Sequence, residues 1–433
     1  MRVPRDLLEH IGRAVLAIAV ISWLVIVTLI LQHRIFVTHD SMISYAHAWW
    51  IESRLWHGHG IPWRMPVLGH GGALTFPYGS APWLVAALLW PLTGDWSVTA
   101  VLVVGAVGLI AATFWAFPET RRPWWAVVVL VNPILVLAPL SGQLPFLWAS
   151  ALLVAGIGCW RRGMRARAIV LVGLGQLCHP AVVLPIAAVL VVARLRSEPD
   201  RGRLLRAYAM ALCMAGPAIV AVMVSPVFTD SSVGTRLIEL VETVSVRAAV
   251  LAPPLVAVLL LRDRRRWLPP VLAAVALVMN VVVFAPLDAR FSWGALRRQP
   301  DQSMAAFTAT PQFRPGATYR VLRSSDGKVG MYELIRRGGR LDSEFFPESM
   351  WFGRFANARG YSRFLAARNV DYVLTLVHPG NRAAKTESAL LAQLATSGKR
   401  CSGDLVGVRL VRGSYGWDEY AIDRACLSSS VRR

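Results

Sequence analysis

Apolar residues in this chain gather into long unbroken runs instead of the alternating or 3.6-residue patterns of water-soluble elements. Runs that reach, or nearly reach, the length needed to cross ~30 Å of hydrocarbon lie at 13–32, 97–117, 124–140, 144–160, 204–224, 246–261 and 268–286. The stretch 168–194 is apolar but broken by His179-Pro180, with arginines on both flanks, which predicts two short half-helices turning at Cys178-His179-Pro180. The piece 81–93 is expected to dip into the outer leaflet and return, since a full crossing there would put Arg121, Arg122 and the later arginine clusters outside. After residue 286 the pattern becomes that of an ordinary soluble α/β segment. Strands are predicted at Thr318–Arg323, Val329–Ile335, Val370–Leu376, Val406–Arg412 and Glu419–Ile422, with helices at 358–368 and 385–396. The expected fold is an α-helical polytopic membrane protein of about nine crossings plus an outer re-entrant segment. Its transmembrane domain covers 1–286 with an external loop at 33–80, and a C-terminal extracytoplasmic α/β domain covers 287–433.

Composition agrees with that class. A 433-residue chain that is 55% hydrophobic has too little polar surface to cover soluble cores, so membrane lipid is an expected partner. The formal charge of +21 could point to nucleic acid. A nucleic-acid binder, however, concentrates its basic residues on one groove-facing surface, and here they fall in short clusters between apolar runs. Of 23 arginines in the first 286 residues, 18 fall in segments that alternate to one side, which becomes the cytoplasmic side under the positive-inside rule. That count puts the N-terminus in the cytoplasm and residue 287 outside, in a multi-pass protein of the plasma membrane. The first run lacks a small-x-small cleavage site and reads as an uncleaved anchor.

The loop 33–80 carries the richest chemistry. Six of the nine histidines lie between 33 and 70. A stretch through Trp49, Trp50 and Trp56 reads as an interfacial helix at headgroup level, with Asp40 at its start. Asp40 is the candidate general base, and the same residue type at a helix start is also a favoured N-cap, stabilising by ~0.5–2 kcal/mol. His39, Glu52, Arg54, His59, Arg64, Tyr78 and His179 are candidate substrate-binding residues, the cations among them suited to a phosphate.

This organisation, a first transmembrane helix followed by a loop opening on a carboxylate, an interfacial helix, a Gly-rich turn and Pro77-Tyr78 leading into a dipping helix, resembles the GT-C glycosyltransferase architecture. The loop and the strings Tyr319-Arg320-Val321-Leu322, Gly338 through Ser349 and Val370-Asp371-Tyr372-Val373 also resemble an actinobacterial membrane-protein family called pyruvoyl-tetrahydropterin synthase-related, whose activity is uncharacterised. The GT-C resemblance implies transfer of a sugar from a polyprenyl-phosphate carrier to an envelope glycan or lipid acceptor on the outer face, with Asp40 as base. It implies no certain cofactor, although a divalent cation could assist the phosphate. Many GT-C enzymes carry a second acidic residue beside the first, whereas here the neighbours are His39 and Ser41.

Two other readings compete. Pterin synthases hold zinc on a His-x-His pair, which His57-Gly58-His59 would match with His39, His47 or His70 as third ligand; two close histidines on a loop make a weak metal motif, and no metal is assigned. A non-catalytic scaffold or lipid-carrier binding subunit of an envelope-assembly complex would share the same membrane organisation. A transporter fits less well, because the later spans lack buried charged relays.

Cys159, Cys178 and Cys213 fall in predicted spans, whereas Cys401 and Cys426 share the segment expected outside, where disulfides persist. They are expected to pair. Alkylation of denatured protein should then count three thiols before reduction and all five afterwards; five before reduction would exclude the bond.

Overall fold

A computed structural model describes residues 5–36, 39–69, 75, 80–195, 200–223, 269–278, 296–298, 302–322, 331–342, 357–376, 382–396, 408–411, 417–423 and 426. The chain is mostly helical, with a small mixed sheet. It divides into two compact units, one formed by 1–36, 75–224 and 228–296, the other by 37–74, 225–227 and 297–433.

The first unit is a helical bundle. Its elements are α1 (Arg5–Leu31), β1 (Arg34–Phe36), α3 (Ser80–Thr93), α4 (Trp96–Ala116), α5 (Pro123–Leu130), α6 (Pro133–Leu140), α7 (Leu144–Arg161), α8 (Arg165–Cys178), α9 (Pro180–Leu195), α10 (Arg201–Met223) and α11 (Pro269–Val278). Among the described residues three helices are long and apolar enough to cross a membrane: Asp6–Leu31, Trp96–Ala116 and Leu144–Arg161. The expected run 246–261 lies outside the described residues, as does the end of 268–286.

Prolines set the breaks. The run expected as one span over 124–140 is two eight-residue helices, because Pro133 brings no N–H and its ring excludes the preceding turn. The predicted break at His179-Pro180 separates α8 from α9, with His179 at φ −157° and Pro180 opening the next helix. At 14 residues each, α3 and α8 are about 21 Å long, short of the hydrocarbon thickness.

The bundle centres on α7, which packs along α4 and α8, while α1 lies on α5 and α10 on α8. Indole N–H groups tie helix to helix through main-chain carbonyls: Trp23 to Leu130 O at 2.8 Å, Trp124 to Leu8 O at 3.0 Å and Trp148 to Val101 O at 2.9 Å. At one end arginines cap helix termini. Arg161 Nη1 donates to Ala116 O at 2.8 Å, and Arg162 donates to Gly158 O and Trp115 O.

The second unit joins α2 (His39–Leu55) to the tail. Its sheet has the order β4-β3-β5-β7-β6, from β3 (Thr318–Leu322), β4 (Arg340–Leu341), β5 (Tyr372–Leu376), β6 (Val408–Val411) and β7 (Trp417–Ile422). The first three are parallel, and β7 runs antiparallel to both of its neighbours. β2 (Leu296–Arg298), α12 (Gln302–Thr308), α13 (Met331–Arg336), α14 (Ala358–Ala367) and α15 (Arg382–Thr396) complete the described elements. One sheet face packs Leu322, Val373, Tyr420 and Ile422 on α14 and α15 through Tyr361, Leu365, Leu391 and Leu394. By strand alternation the opposite face carries Tyr319 and Tyr372, stacked at 5.3 Å, against Phe307 and Phe313.

Two expectations change here. The strand expected at Val329–Ile335 is the helix α13. Its C-terminus closes with Gly339 N–H on Leu334 O and Gly338 N–H on Ile335 O, Gly338 standing at φ 90°, the Schellman arrangement that ends helices. The stretch expected to lie as an interfacial helix on a membrane is instead interior. Every residue from Ser41 to Ala48 is at most 2% exposed, whereas a surface-lying helix keeps a polar face in water. Tyr45 meets Tyr332 of α13 at 5.6 Å, and Leu341 N–H donates to Val67 O at 2.8 Å, so this part of the chain packs in one unit with the tail.

A Cβ on Gly105 would stand 2.6 Å from Trp148 Cδ1, whereas one on Gly108 would meet nothing. Gly105→Val should therefore lower thermal stability in detergent by ~1–3 kcal/mol, with Gly108→Ala close to wild type.

Candidate functional site

Asp40 lies in the first turn of α2, at the end where main-chain N–H groups point outward and negative charge is favoured. The side chains of His39 and Asp40 lie outside the described residues, as do Tyr78 and Cys401. Cys426 is buried and held in a disulfide, while Cys159, Cys178 and Cys213 are free thiols.

The remaining loop candidates gather at the opposite end of α2. Arg54 lies over the Trp50 ring at 4.5 Å, and Trp50 Nε1 donates to Arg64 O at 3.1 Å. His59 N–H donates to Arg54 O at 2.9 Å and Gly58 N–H to Leu55 O, with Gly58 at φ 81°. That is the same glycine closure that ends α13. It gives His57-Gly58-His59 a structural reason, since the turn terminates a helix and leaves both histidines exposed. Half-buried Glu52 has its carboxyl pushed above the ordinary range by burial, with His57 pulling the other way. Among the described residues no group of three or more His, Cys, Asp or Glu is placed to hold a metal ion.

The constellation expected from the sequence is therefore divided. Fourteen residues of helix separate Asp40 from Arg54, about 21 Å at 1.5 Å per residue. A base and the cations that receive a leaving phosphate must stand within a few ångström of one reacting carbon. Arg54 cannot serve the same bond as Asp40 while α2 is intact, and His59 stands beside Arg54 through its N–H bond to Arg54 O. His179 sits buried between α8 and α9 of the helical unit.

Sequence reasoning missed a buried charge network in the α/β unit. Arg320, only 3% exposed, makes a two-pronged bond to Glu387, Nε to Oε2 at 2.8 Å and Nη2 to Oε1 at 2.9 Å, while Nη1 reaches Asp342 Oδ2 at 2.8 Å. The guanidinium also lies 4.7 Å from the Phe364 ring centre. Burial alone would lower its pKa, but Glu387 and Asp342 raise it well above normal. Tyr361 is raised as well, by burial and then by Glu387. Such closed networks serve architecture as readily as chemistry, because both ions must be paired once they leave water. The available signal was weak: Arg320 interrupts an otherwise apolar strand, and Asp342 and Glu387 lie 22 and 67 residues away.

Two other polar groups stand out. Gln176, fully buried in α8, has neither amide atom paired among the described residues. Glu419 on β7 is 1% exposed, and its Oε1 has no partner among the described residues. In comparisons with known proteins, no family model, curated protein or solved structure matches this chain.

Burial pushes the Glu419 carboxyl from 4.5 to about 7, with Arg314 pulling it down. Between those values the folded protein holds a proton that the unfolded chain releases, so stability from this group is greatest below pH 4.5 and falls as pH rises to 7. Glu419→Gln should remove that loss and stabilise the protein at pH 8 by ~1–3 kcal/mol. Thermal midpoints of both proteins across pH 5–8 should therefore diverge as pH rises.

Proposed function

We propose that this chain is a GT-C-like glycosyltransferase that moves a sugar from a polyprenyl-phosphate carrier to an envelope glycan or lipid acceptor on the outer face of the membrane. The observation that carries the reading is the position of Asp40. It is a carboxylate in the first turn of a helix held rigid by burial, reached directly from the first long apolar helix through a short strand. Buried on nearly every side, α2 can hold such a group in one place, as a base requires. The distribution of arginine supports about nine crossings with the N-terminus in the cytoplasm and the tail as an extracytoplasmic domain.

In this mechanism the Asp40 carboxylate takes the proton of an acceptor hydroxyl while that oxygen bonds to the anomeric carbon. The bond from that carbon to the carrier phosphate breaks, and the lipid phosphate leaves with the electron pair. Base catalysis of this kind contributes typically ~10²–10⁴ in rate. Arg54, about 21 Å along α2, and His59 beside it stand too far from Asp40 to receive the phosphate, so they are assigned to a distant part of an extended acceptor.

The same distance favours a second reading, a non-catalytic scaffold or lipid-carrier binding subunit, in which Asp40 only stabilises the start of α2. A deletion strain complemented with wild type, Asp40→Asn or Asp40→Ala separates the two, with membrane levels and envelope glycans measured. Asn keeps the size of the side chain and one hydrogen-bonding oxygen in the first turn of α2 while deleting the base. For the enzyme, Asp40→Asn should reach normal levels yet leave a glycan missing and a sugar-loaded carrier accumulating. Full complementation by Asp40→Asn would remove the catalytic role.

A further inference from the structure

The parallel strands β4, β3 and β5 begin on a row of polar residues. Thr318 opens β3 and is the register partner of Arg340, which opens β4. On the other side Tyr319 pairs with Tyr372, so Asp371, one residue before β5, stands beside Thr318. Asp371 N–H donates to Thr318 O at 2.9 Å, and Thr318 N–H donates to Asp371 Oδ2 at 2.8 Å. Neighbours in register share one face of a sheet, and adjacent strands lie about 4.8 Å apart. Guanidinium, hydroxyl and carboxylate therefore follow one another over about 10 Å.

The row lines a cavity of about 500 Å³ that lies wholly within the second unit, a size within the range of small-molecule sites. Asn369, Pro66 and Gly316 line it as well. Asn369 follows α14 at φ 49°, in the left-handed region where glycine most often ends a helix. Here that position carries an amide. Main-chain bonds hold the surroundings in shape: Arg340 N–H to Ala317 O at 2.8 Å, Leu341 N–H to Val67 O at 2.8 Å and Gly316 N–H to Gly338 O at 2.7 Å. The walls are preformed, mostly polar, and carry one cation and one anion, Arg340 and Asp371.

Walls of this kind select by hydrogen bonding. A hydrocarbon would strip water from four polar side chains and return no hydrogen bond. A phosphate would meet the Asp371 carboxylate two strands from Arg340. A molecule with many hydroxyls, each able to donate and to accept, satisfies all four side chains and keeps the charges balanced. We infer that this cavity binds a short neutral oligosaccharide. Arg340 donates to sugar oxygens, Asp371 accepts from a hydroxyl, and Thr318 and Asn369 supply groups that both donate and accept. The site stands on the cavity alone and serves an enzyme and a scaffold equally, so it does not depend on the reaction proposed for Asp40.

The test uses full-length protein in nanodiscs, read on a glycan array of neutral di- to tetrasaccharides and then titrated with the saccharide that gives the strongest signal. Wild type should bind at least one glycan above empty nanodiscs. Arg340→Gln should weaken that binding about tenfold or more, the scale of hydrogen bonds from a charged group. Thr318→Val, which keeps the branched shape and deletes the hydroxyl, should weaken it about three- to tenfold. Arg337→Gln, an exposed arginine outside the cavity, should bind like wild type. No glycan bound by wild type, unchanged binding in Arg340→Gln, or displacement of the bound saccharide by free amino acids overturns the assignment. If Arg340→Gln does not fold, Thr318→Val decides by the same titration, and unchanged affinity overturns the site.

Discussion

A polar group that this chain carries into apolar surroundings is costly unless it finds a partner within the protein, because hydrocarbon and packed cores offer no water in exchange. The described structure is arranged around that constraint. In the helical unit the indoles of Trp23, Trp124 and Trp148 reach carbonyls of neighbouring helices, so groups that would otherwise be costly become cross-links. Arginines at the ends of α7 and α8 satisfy terminal carbonyls that no further turn can reach. In the α/β unit the same need produces the closed set of Arg320, Glu387 and Asp342, which joins strand β3 to the end of β4 and to α15.

The constraint also explains why α2 is interior. Its sequence mixes Trp, Tyr, Met and Ile with Ser, His and Glu, and that mixture suits a membrane interface as well as a protein core with polar positions satisfied. Buried His47 donates from Nδ1 to Ile43 O, and Ser53 donates to Trp50 O, so part of the side-chain polarity is absorbed locally. Fixing α2 in this way settles the relation between the candidate residues. A flexible loop could bring Asp40 and Arg54 together around a small ligand, but a helix with two buried turns keeps them apart.

What could be read from the sequence was what local chemistry decides. Long apolar runs marked α1, α4 and α7, and Pro180 marked the start of α9. Pro133 carries the same signal inside the run 124–140, where it separates α5 from α6. At Val329–Ile335 a short apolar stretch looked like a strand, although Gly338-Gly339 was already the signature of a helix C-terminus. The two-residue strand β4 is too short for any pattern, and it forms only because β3 on one side and Leu68 on the other supply its partners. In the candidate site the type and order of residues were legible, but not their distances. The pairing of Arg320 with a residue 67 positions away has no local signature at all.

The buried network argues for specification of the fold more than for its stability. Taking a guanidinium and two carboxylates out of water costs about what their attraction returns, and apolar replacements of similar volume are often as stable. A two-pronged arginine bond, however, tolerates little displacement. Sliding β3 by one residue would turn Arg320 to the face that holds Tyr319, Phe307 and Phe313, away from Glu387, and would leave the charge among aromatic rings. The alternation of β3, in which Arg320 shares a face with Leu322 and Tyr319 opposes it, is thus fixed by electrostatics on one side and aromatic stacking on the other. A register held from both faces is suited to a unit whose chain is discontinuous, because α2 and the tail strands must meet in one alignment although about 260 residues separate Leu55 from Thr318.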